Sequence, residues 1–298
     1  MKNQTLLGGI LVAIGAASYG MLTTFVKLAE TYGYNMYEIT LTEYLIGTPA
    51  LFLADFLIRK RKNQKEYPKP SPRNIRNLML AGATMGATTF IYYLAVQYIS
   101  VSIAIVLLMQ SVWIGVLLDA IFNKTKPDAM KIIAVVVVLA GTVLATNLVF
   151  SDIHIDFRGM LLGFLAAVSY SITIFATNRV GLGLSTTTRS KFMALGALIL
   201  VCLITPPFLI NNFNPDVLYT WGIFFGVFGA FLPPLLLNYG MPKVNLGVGA
   251  IITSMELPVA VGLAYLILKE NVNIYQLIGI ALILIAVVAM NLKEIRRV

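Results

Sequence analysis

The stretch "GVGAIITSMELPVAVGLAYLILK" extends from Gly247 to Lys269 and is apolar almost throughout. Its one charged residue before the terminal lysine is Glu256, near the middle. A helix needs about 20 predominantly apolar residues to cross the hydrocarbon core of a bilayer. The stretch therefore predicts a membrane-spanning helix with a carboxyl group near half depth. An ionised, unpaired carboxylate there would cost about 2.5 kcal/mol or more, so Glu256 should be protonated or paired with a cation.

The composition of the whole chain agrees with this prediction. Hydrophobic residues make up 58% of the 298 residues, charged residues only 12%, and the mean hydropathy is +0.84. Soluble domains carry about a quarter charged residues, so a polytopic, all-α membrane protein is predicted. The single cysteine, Cys202, and the single histidine, His154, exclude an intrachain disulfide and a zinc site built from several such ligands. No metal or other cofactor is expected.

Ten apolar runs are long enough to span a bilayer. Most are joined by short loops, so consecutive helices should be antiparallel. The predicted spans are Leu6–Ala29, Met36–Ile58, Leu78–Tyr98, Val101–Phe122, Lys131–Phe150, Gly159–Thr177, Phe192–Ile210, Val217–Tyr239, Leu246–Leu268 and Ile274–Leu292.

The net charge of +9 is explained by topology rather than by nucleic-acid binding. If the N-terminus is cytoplasmic, all Lys and Arg residues except Lys27, Arg158 and Lys269 fall on the cytoplasmic side. Such a bias fixes the orientation of membrane helices. We therefore predict a multi-pass protein of the cell (inner or plasma) membrane with both termini cytoplasmic. The basic segment from Arg59 to Arg73 is then a solvated connector, or it contacts anionic lipid.

The chain repeats itself. Ser18-Tyr19 matches Ser169-Tyr170 at an offset of 151 residues, and Ser102–Lys124 matches Gly247–Lys269 at an offset of 145. Each half contains an odd number of predicted helices, so the second half should enter the membrane upside down relative to the first. Inverted repeats are typical of secondary transporters. We predict two inverted five-helix repeats, residues 1–150 and 151–298.

These features resemble the EamA-type transporters of the drug/metabolite transporter superfamily. The resemblance covers nearly the whole chain and is carried by "SYGMLTTFVK" (Ser18–Lys27) and by "MELPVAVGLAYLILKENVNIYQLIGIALILIAVV" (Met255–Val288). The most specific spacing is Pro258, Glu270 and Gly279, whereas the first half has Trp113 and Thr125 in place of the proline and the glutamate. The resemblance implies alternating access through a cavity lined by helices 1–4 and 6–9, with helices 5 and 10 behind it. It leaves the cargo open.

Glu256 is the leading candidate site residue. At helical spacing it shares a small, polar stripe with Thr253, and Pro258 should distort the helix beside it. It is a candidate for proton coupling, for recognition of a substrate ammonium group, or for both by competition. The alternative is a protonated acid that holds a neighbouring helix. Its repeat partner is Ser111, flanked by Gln110 and by Trp113, which would either stack on a substrate or pack.

Further polar and aromatic residues lie in the predicted helices. Glu43 and Lys27 are candidates for coupling or gating: they either pair, or Lys27 extends outward to Glu30. Asp55 and Asp119, near the cytoplasmic ends, are expected to face water or basic loops. The double proline Pro233-Pro234 indicates a hinge or a static kink in helix 8. The remaining candidates for substrate binding are Tyr19, Tyr170, Tyr92, Tyr93 and Asn238.

The sequence as a whole predicts a secondary transporter and not an enzyme; the competing class is an intramembrane enzyme or a receptor. It has no GxxxxGK[ST] phosphate loop, which argues against ATP-driven pumping on this polypeptide, and no nucleophile constellation typical of an intramembrane enzyme. The expected cargo is a small organic metabolite, such as an amino acid leaving the cell, and the alternative is an organic cation. Protons or exchange would supply the energy, and the transporter would be a monomer or a homodimer.

Overall fold

A computed structural model gives the fold of the chain. It describes residues 2–61, 68–99, 101–124, 126–145, 156–209, 213–267, 269 and 273–297. Within these ranges the regular structure is entirely helical, and no strand occurs. Thr125, His154 and Glu270 lie outside the described residues, so the family-like spacing at Glu270 is not tested.

Most helices cross the molecule as long rods, and a few are broken into pieces. The α-helices are α1 (Lys2–Thr31), α2 (Met36–Arg61), α3 (Pro72–Ala95), α4 (Val101–Leu108), α5 (Ser111–Asn123), α6 (Ala129–Ala145), α7 (Phe157–Arg179), α8 (Thr186–Ile204), α9 (Pro206–Leu209), α10 (Asp216–Thr220), α11 (Gly222–Phe225), α12 (Leu232–Gly240), α13 (Leu246–Ile252), α14 (Glu256–Ile267) and α15 (Ile274–Arg297). A π-helical turn at Gly226–Phe231 joins α11 to α12, and 3₁₀ turns occupy Met241–Lys243 and Thr253–Met255.

Among the described residues, eight helical segments are long and apolar enough to cross a membrane. Two shorter apolar helices, Ala129–Ala145 and Ile274–Met290, overlap the predicted fifth and tenth spans. The prediction of a multi-pass helical membrane protein is therefore confirmed, and the described part of the chain holds eight candidate spans. Large apolar side chains such as Phe56, Ile133 and Ile285 are each about 60% exposed, as expected for a surface that meets lipid.

The third and seventh membrane helices begin earlier than their apolar runs predict, at Pro72 and Thr186. In each case a serine precedes the helix, Ser71 or Ser185, and its hydroxyl accepts a hydrogen bond from a backbone N–H in the first turn. Such a cap fixes the start of a helix regardless of hydropathy. The polar first turns were missed because hydropathy detects only the part of a helix that lies in lipid.

Helix packing places α6 and α15 against each other as a pair. Their backbones meet where Gly141 and Gly279 face each other, and a Cβ built on Gly141 would lie 2.9 Å from the Gly279 carbonyl oxygen. The other long helices form the rest of the bundle: α1 packs on α12 and α14, α3 on α7 and α8, α2 on α8 and the π-helical turn, and α5 on α13. The paired α6 and α15 therefore leave α1, α3, α7 and α14 to surround the centre.

Candidate functional site

Two membrane helices are interrupted near the centre of the bundle. One run breaks between α4 and α5, and α5 begins at Ser111. The other breaks at the 3₁₀ turn Thr253–Met255, and α14 begins at Glu256. These two starting residues are partners in the sequence match between the halves, at the offset of 145 residues. The distortion predicted beside Glu256 is confirmed, and the first half has a break at the matching position.

Local side chains satisfy the backbone at each break. In the second half, the Thr253 hydroxyl donates to the Ala250 carbonyl oxygen (2.8 Å) and the Ser254 hydroxyl to the Ile251 carbonyl oxygen (2.7 Å). Hydroxyl groups that bond back to the preceding turn in this way occur at helix bends. Pro258 is the third residue of α14, where its missing N–H needs no partner within the helix.

Glu256 is buried but lines a cavity. Its side chain is 6% exposed, and the carboxyl oxygen Oε2 has no hydrogen-bond partner. The backbone of Glu256 lies directly against Gly20 of α1, where a Cβ would come within 3.0 Å of the Glu256 carbonyl carbon. The absence of a side chain at Gly20 thus lets α1 approach the start of α14 and fixes the position of the acid.

A small cavity of about 60 Å³ lies beside this acid. Ligand sites of small molecules have volumes of about 300–1,000 Å³, so this cavity would have to widen to hold an organic cargo. Among the described residues, the lining contains one acid, four tyrosines and four threonines, and no Lys, Arg or His. The lining residues are Tyr19, Leu22, Thr23, Met85, Thr88, Thr89, Tyr92, Tyr93, Leu108, Tyr170, Thr173 and Glu256.

The repeated Ser-Tyr pair acts at the centre of the molecule. The rings of Tyr19 and Tyr170 meet edge to face, with centroids 6.4 Å apart and planes at 82°. The Ser18 hydroxyl donates to the carbonyl oxygen of Phe228, and the Ser169 hydroxyl to that of Thr84, both at 2.8 Å. Each serine therefore anchors its helix across the bundle, and each tyrosine faces the cavity. The Tyr170 hydroxyl lies beside the Glu256 carboxyl group but makes no hydrogen bond of good geometry.

Tyr92 and Tyr93 extend the aromatic wall along α3. Their ring centroids lie 6.1 Å apart. The Tyr92 hydroxyl is buried without a hydrogen-bond partner of good geometry, beside Thr23. Two buried hydroxyl groups of the wall, those of Tyr92 and Tyr170, thus remain unused by the protein. Buried polar groups are nearly always hydrogen-bonded, so their free state suits a site that receives polar cargo or water.

Gln110, Trp113 and Ser111 do not line this cavity. The Trp113 indole N–H donates to the Gln110 side-chain oxygen (2.9 Å), and the Gln110 amide donates to the Val106 carbonyl oxygen (3.0 Å). These two side chains hold the break between α4 and α5. Ser111 is fully buried with an unpartnered hydroxyl oxygen, away from the described lining. Gln110 and Trp113 thus make their hydrogen bonds within the protein, and their predicted contact with cargo remains a prediction.

Asn238 and Thr253 also lie outside the lining. The Asn238 amide donates to the Pro234 carbonyl oxygen (2.9 Å) and to the Ser190 hydroxyl (3.2 Å), which ties α12 to α8. Thr253 bonds to its own helix and lies next to Tyr170, one layer behind the cavity wall. The amide N–H groups of Asn238 and the hydroxyl of Thr253 are thus used within the protein, which sequence patterns do not reveal.

Glu43 and Lys27 do not form the hydrogen-bonded pair that their predicted depth allowed. Glu43 is fully buried, and neither of its carboxyl oxygens has a hydrogen-bond partner. Lys27 is exposed, and its charge acts on Glu30. This matches the alternative in which Lys27 extends outward. The predicted role of Glu43 in coupling or gating remains a prediction.

Asp55 is the centre of a polar cluster. Of its two predicted environments, water or basic loops, the structure shows basic side chains, and Asp55 is 1% exposed. Its carboxylate accepts hydrogen bonds from Lys191 Nζ (2.5 Å), Arg59 Nε (2.9 Å) and the hydroxyls of Thr187 (2.5 Å) and Thr188 (3.1 Å). This cluster joins the end of α2 to the start of α8.

Asp119 forms a second cluster that sequence reasoning missed, and it too is buried. Lys131 Nζ donates to the Asp119 carboxylate (2.7 Å) and to the Asn245 side-chain oxygen (2.6 Å), which joins α5 and α6 to the start of α13. Arg189, on α8, donates to the carbonyl oxygens of Asn238 (2.6 Å) and Thr177 (2.5 Å). In the sequence, the only sign of these contacts is that acidic and basic residues occur together near the helix ends.

The fold and the cavity together define a class: a multi-pass helical membrane protein with an internal cavity lined by one acid and several aromatic residues. Comparison with known protein families assigns it more narrowly. The EamA-like transporter family matches residues 6–147 and again residues 157–292. The chain therefore belongs to the EamA-like transporter family, within the drug/metabolite transporter superfamily, and the predicted resemblance is confirmed. Members of this family are transporters, so the chain is a membrane transporter rather than an enzyme.

Solved structures support the fold. One crystal structure, titled only as that of a protein, superposes with a TM-score of 0.78 over 96% of this chain and 98% of the other, at 16% sequence identity. Identity at this level indicates a shared fold and carries no information on cargo. No curated protein sequence matches the chain.

Proposed function

We propose that the protein is a secondary transporter that moves small amine-bearing organic molecules by alternating access, with Glu256 binding the ammonium group. The observation that carries this proposal is the cavity: a buried carboxyl group with an unpartnered oxygen, surrounded by tyrosine rings, with no basic side chain in the described lining. Aromatic faces and an acid together attract cations. An amine would also supply the cationic partner that a carboxyl group at this depth requires.

The proposed architecture is two inverted five-helix repeats, residues 1–150 and 151–298. Helix packing supports it, because the main neighbours of α1 in the second half correspond to the main neighbours of α7 in the first half. α1 packs on α12 and α14, while its sequence counterpart α7 packs on α3 and on α4 and α5. The hydrogen bonds of the two serines correspond in the same way. Ser18 in the first half donates to Phe228 in the second, and Ser169 in the second half donates to Thr84 in the first.

The proposed orientation places both termini in the cytoplasm and the protein in the cell membrane. In that orientation the cavity residues of α1 and α3 lie toward the outer side, whereas the clusters around Asp55 and Asp119 lie at the cytoplasmic end. The cavity would then receive cargo from outside in this conformation and from inside once the cytoplasmic clusters separate. A single chain supplies all the described lining, so the proposed transport unit is one chain, alone or as half of a homodimer.

The absence of basic side chains from the described lining favours organic cations over amino acids as cargo. Amino acids remain the second candidate because the threonine hydroxyls of the same lining provide donors for a carboxylate. We propose efflux as the direction and protons as the coupling ion, since a cation and a proton would compete for the carboxylate of Glu256.

A thermal-shift screen of organic amines and amino acids, run at two pH values, tests this proposal. A bound cargo raises the melting temperature. We expect a stabilising amine whose effect grows as the pH rises, because deprotonation of Glu256 favours cation binding. Radiolabelled hits should then enter liposomes that contain the protein and leave them chemically unchanged.

Glu256→Gln is the matching variant. It should fold normally, since Oε2 has no partner to lose, and it should lose binding of the amine at least tenfold. Ser111→Ala is the control, because this buried serine lies away from the described lining. Transport by Glu256→Gln at the normal rate and with the normal pH dependence would refute the assignment.

A further inference from the structure

Glu43 is a second buried acid, separate from the cargo cavity. It lies in α2, and none of its atoms is accessible to solvent. Both carboxyl oxygens lack a hydrogen-bond partner, and the residue is not among those that line the cavity. An acid in this state is costly for a folded protein, because even a neutral carboxyl group prefers to be hydrogen-bonded. Its presence calls for a physical explanation.

The carboxyl group packs against the π-helical turn Gly226–Phe231. A Cβ built on Gly229 would lie 2.5 Å from both Cδ and Oε1 of Glu43, so the carboxyl group occupies the space that a side chain would fill. π-Helical turns are uncommon, and they often occur at functional sites. One residue corresponds to about 100° of rotation in an α-helix, so conversion of this turn to α-helix would reorient the flanking residues.

Some carbonyl oxygens of the same turn lack the backbone N–H donors that a regular helix would supply. Pro233 and Pro234 follow it and have no N–H, so the carbonyl oxygens of the preceding turn lose two of their usual partners. The Ser18 hydroxyl donates to one of these oxygens, that of Phe228. Glu43 brings a carboxyl group to the same turn, at Gly229. A protonated carboxyl group can donate its O–H to a carbonyl oxygen, whereas a carboxylate would be repelled by carbonyl oxygens.

We infer that Glu43 is a proton-binding site distinct from the cargo site. It holds a proton while packed against the π-helical turn, and it releases the proton when that turn rearranges. This inference rests on the proposed transport function for its biological role, since it gives proton movement a place apart from cargo binding. The rearranging element is α12 with its π-helical turn, which packs on both α1 and α2.

The ionisable groups around Glu43 fit this assignment. Three tyrosines lie near enough to Glu43 to interact with its charge: Tyr19 on α1, Tyr93 on α3 and Tyr44 on α2 itself. Tyr19 and Tyr93 are also near Glu256 and line the cargo cavity, so the two acids share these aromatic neighbours.

Charged side chains on α8 and α10, which also pack against α2, do not bind Glu43. On α8, Lys191 binds Asp55 and Arg189 binds backbone carbonyl oxygens. Asp55 is twelve residues from Glu43, about 18 Å along the helix. On α10, Asp216 is exposed.

Infrared titration of the protein in lipid vesicles tests this inference without any cargo. A buried, protonated carboxyl group gives a C=O stretching band that ionised carboxylates lack. In the Glu256→Gln background we expect one such band at neutral pH, lost on alkaline titration. The double variant Glu43→Gln/Glu256→Gln should lack it. Adding Glu38→Gln instead should leave it unchanged, because Glu38 accepts hydrogen bonds from the N–H groups of Asn35 (2.8 Å) and Asn214 (2.6 Å).

Hydrogen exchange reports whether the proton controls the turn. After correction for the intrinsic effect of pH, amides of Val227–Phe231 should exchange faster when Glu43 ionises, and Glu43→Gln should abolish this pH dependence. A band that is absent from Glu256→Gln, or that persists in the double variant, would overturn the inference. If Glu43→Gln fails to fold, Glu43→Asp should shift the band, and an unshifted band would be equally decisive. A failed cargo screen with a normal titration would refute transport of amines and leave this site intact.

Discussion

At the scale of single residues, Ser18 and Ser169 show how one motif works twice. Each hydroxyl donates to a backbone carbonyl oxygen of a helix in the other half, at the same distance of 2.8 Å. The tyrosine that follows each serine then projects into the cavity, where Tyr19 and Tyr170 meet. The serine fixes the rotation of the helix, and that rotation places the tyrosine.

Gln110 offers a residue-scale prediction. Its side chain accepts from the Trp113 indole and donates to the Val106 carbonyl oxygen, so Gln110→Ala removes two hydrogen bonds at the break between α4 and α5. We expect a loss of stability of about 1 kcal/mol, the usual range for hydrogen bonds within a membrane. Affinity for the cargo found in the screen should stay within about twofold, well below the tenfold change that 1.4 kcal/mol represents.

Thermal unfolding and binding measured on the same Gln110→Ala preparation separate these effects. Tyr170→Phe serves for comparison, since it removes a hydroxyl that lines the cavity and has no partner in the protein. It should leave stability unchanged and alter binding. A tenfold loss of affinity in Gln110→Ala with unchanged stability would indicate that Gln110 contacts the cargo.

At the scale of helices, close contact between α1 and α14 positions the acid. Gly20 provides that contact, because any side chain would meet the backbone of Glu256. The helix breaks at Ser111 and Glu256 add a second feature, since both interrupted helices begin their second piece at matching residues of the two halves. The acid therefore sits where one helix is broken and another comes very near.

Gly20→Ala tests this arrangement of helices. The added methyl group must push α1 away from α14, which should destabilise the protein by about 1–3 kcal/mol, as overpacking does. Cargo binding should weaken as well, because Glu256 moves with its backbone. Gly262→Ala is the control on α14, since a Cβ there would have no neighbour within 4 Å. Equal behaviour of the two variants in thermal unfolding would contradict the proposed contact.

At the scale of the whole molecule, polar clusters join helices at the end that the proposed topology places in the cytoplasm. The cluster around Asp55 joins α2 to α8, and the cluster around Asp119 joins α5 and α6 to α13. The cavity lies away from them, along the later parts of α1 and α3. An alternating-access cycle would have to separate these clusters when the cytoplasmic end opens.

Asp55→Asn should therefore favour the inward-open conformation. It removes an acceptor shared by Lys191 and Arg59, and hydrogen bonds to charged groups contribute about 1.5–3 kcal/mol each. A cysteine placed at Thr173, in the cavity lining, should react faster with a reagent added from the cytoplasmic side. These measurements need a background in which Cys202 is replaced, since that residue is exposed.

Asp128→Asn is the matched control for Asp55→Asn. Its contact with Lys293 Nζ (3.0 Å) joins side chains that are 27% and 30% exposed, and such pairs contribute at most about 1 kcal/mol. Its labelling rate should equal that of the parent protein. If Asp55→Asn also labels at the parental rate, the cluster does not hold the cytoplasmic end closed.

Cysteine labelling also tests the orientation of the molecule. In the Cys202-free background, a cysteine at Lys69 should react only with reagent on the cytoplasmic side, and one at Arg158 only with reagent outside. Both residues are exposed: Lys69 lies just before α3, and Arg158 lies in the first turn of α7. Reaction of Arg158→Cys from the cytoplasm would reverse the proposed topology and, with it, the side from which the cavity receives cargo.

The sequence by itself determined the class of the protein, because a helix in lipid must be predominantly apolar over about 20 consecutive residues, which hydropathy detects directly. It also predicted Glu256 and the tyrosines Tyr19, Tyr92, Tyr93 and Tyr170 as site residues, and all five line the cavity. Their depth in the membrane and their spacing between the two repeats can both be inferred from the positions of residues along the sequence. Whether they bind cargo remains a prediction.

Only the tertiary structure decided which polar side chains were already occupied. Gln110 and Asn238 satisfy neighbouring backbone groups, Asp55 binds cations from another helix, and Glu43 faces a π-helical turn far away in sequence. In lipid a polar side chain without a partner is costly, and its partners often lie on another helix. Such pairing depends on how helices are rotated and packed, which no local pattern of residues encodes.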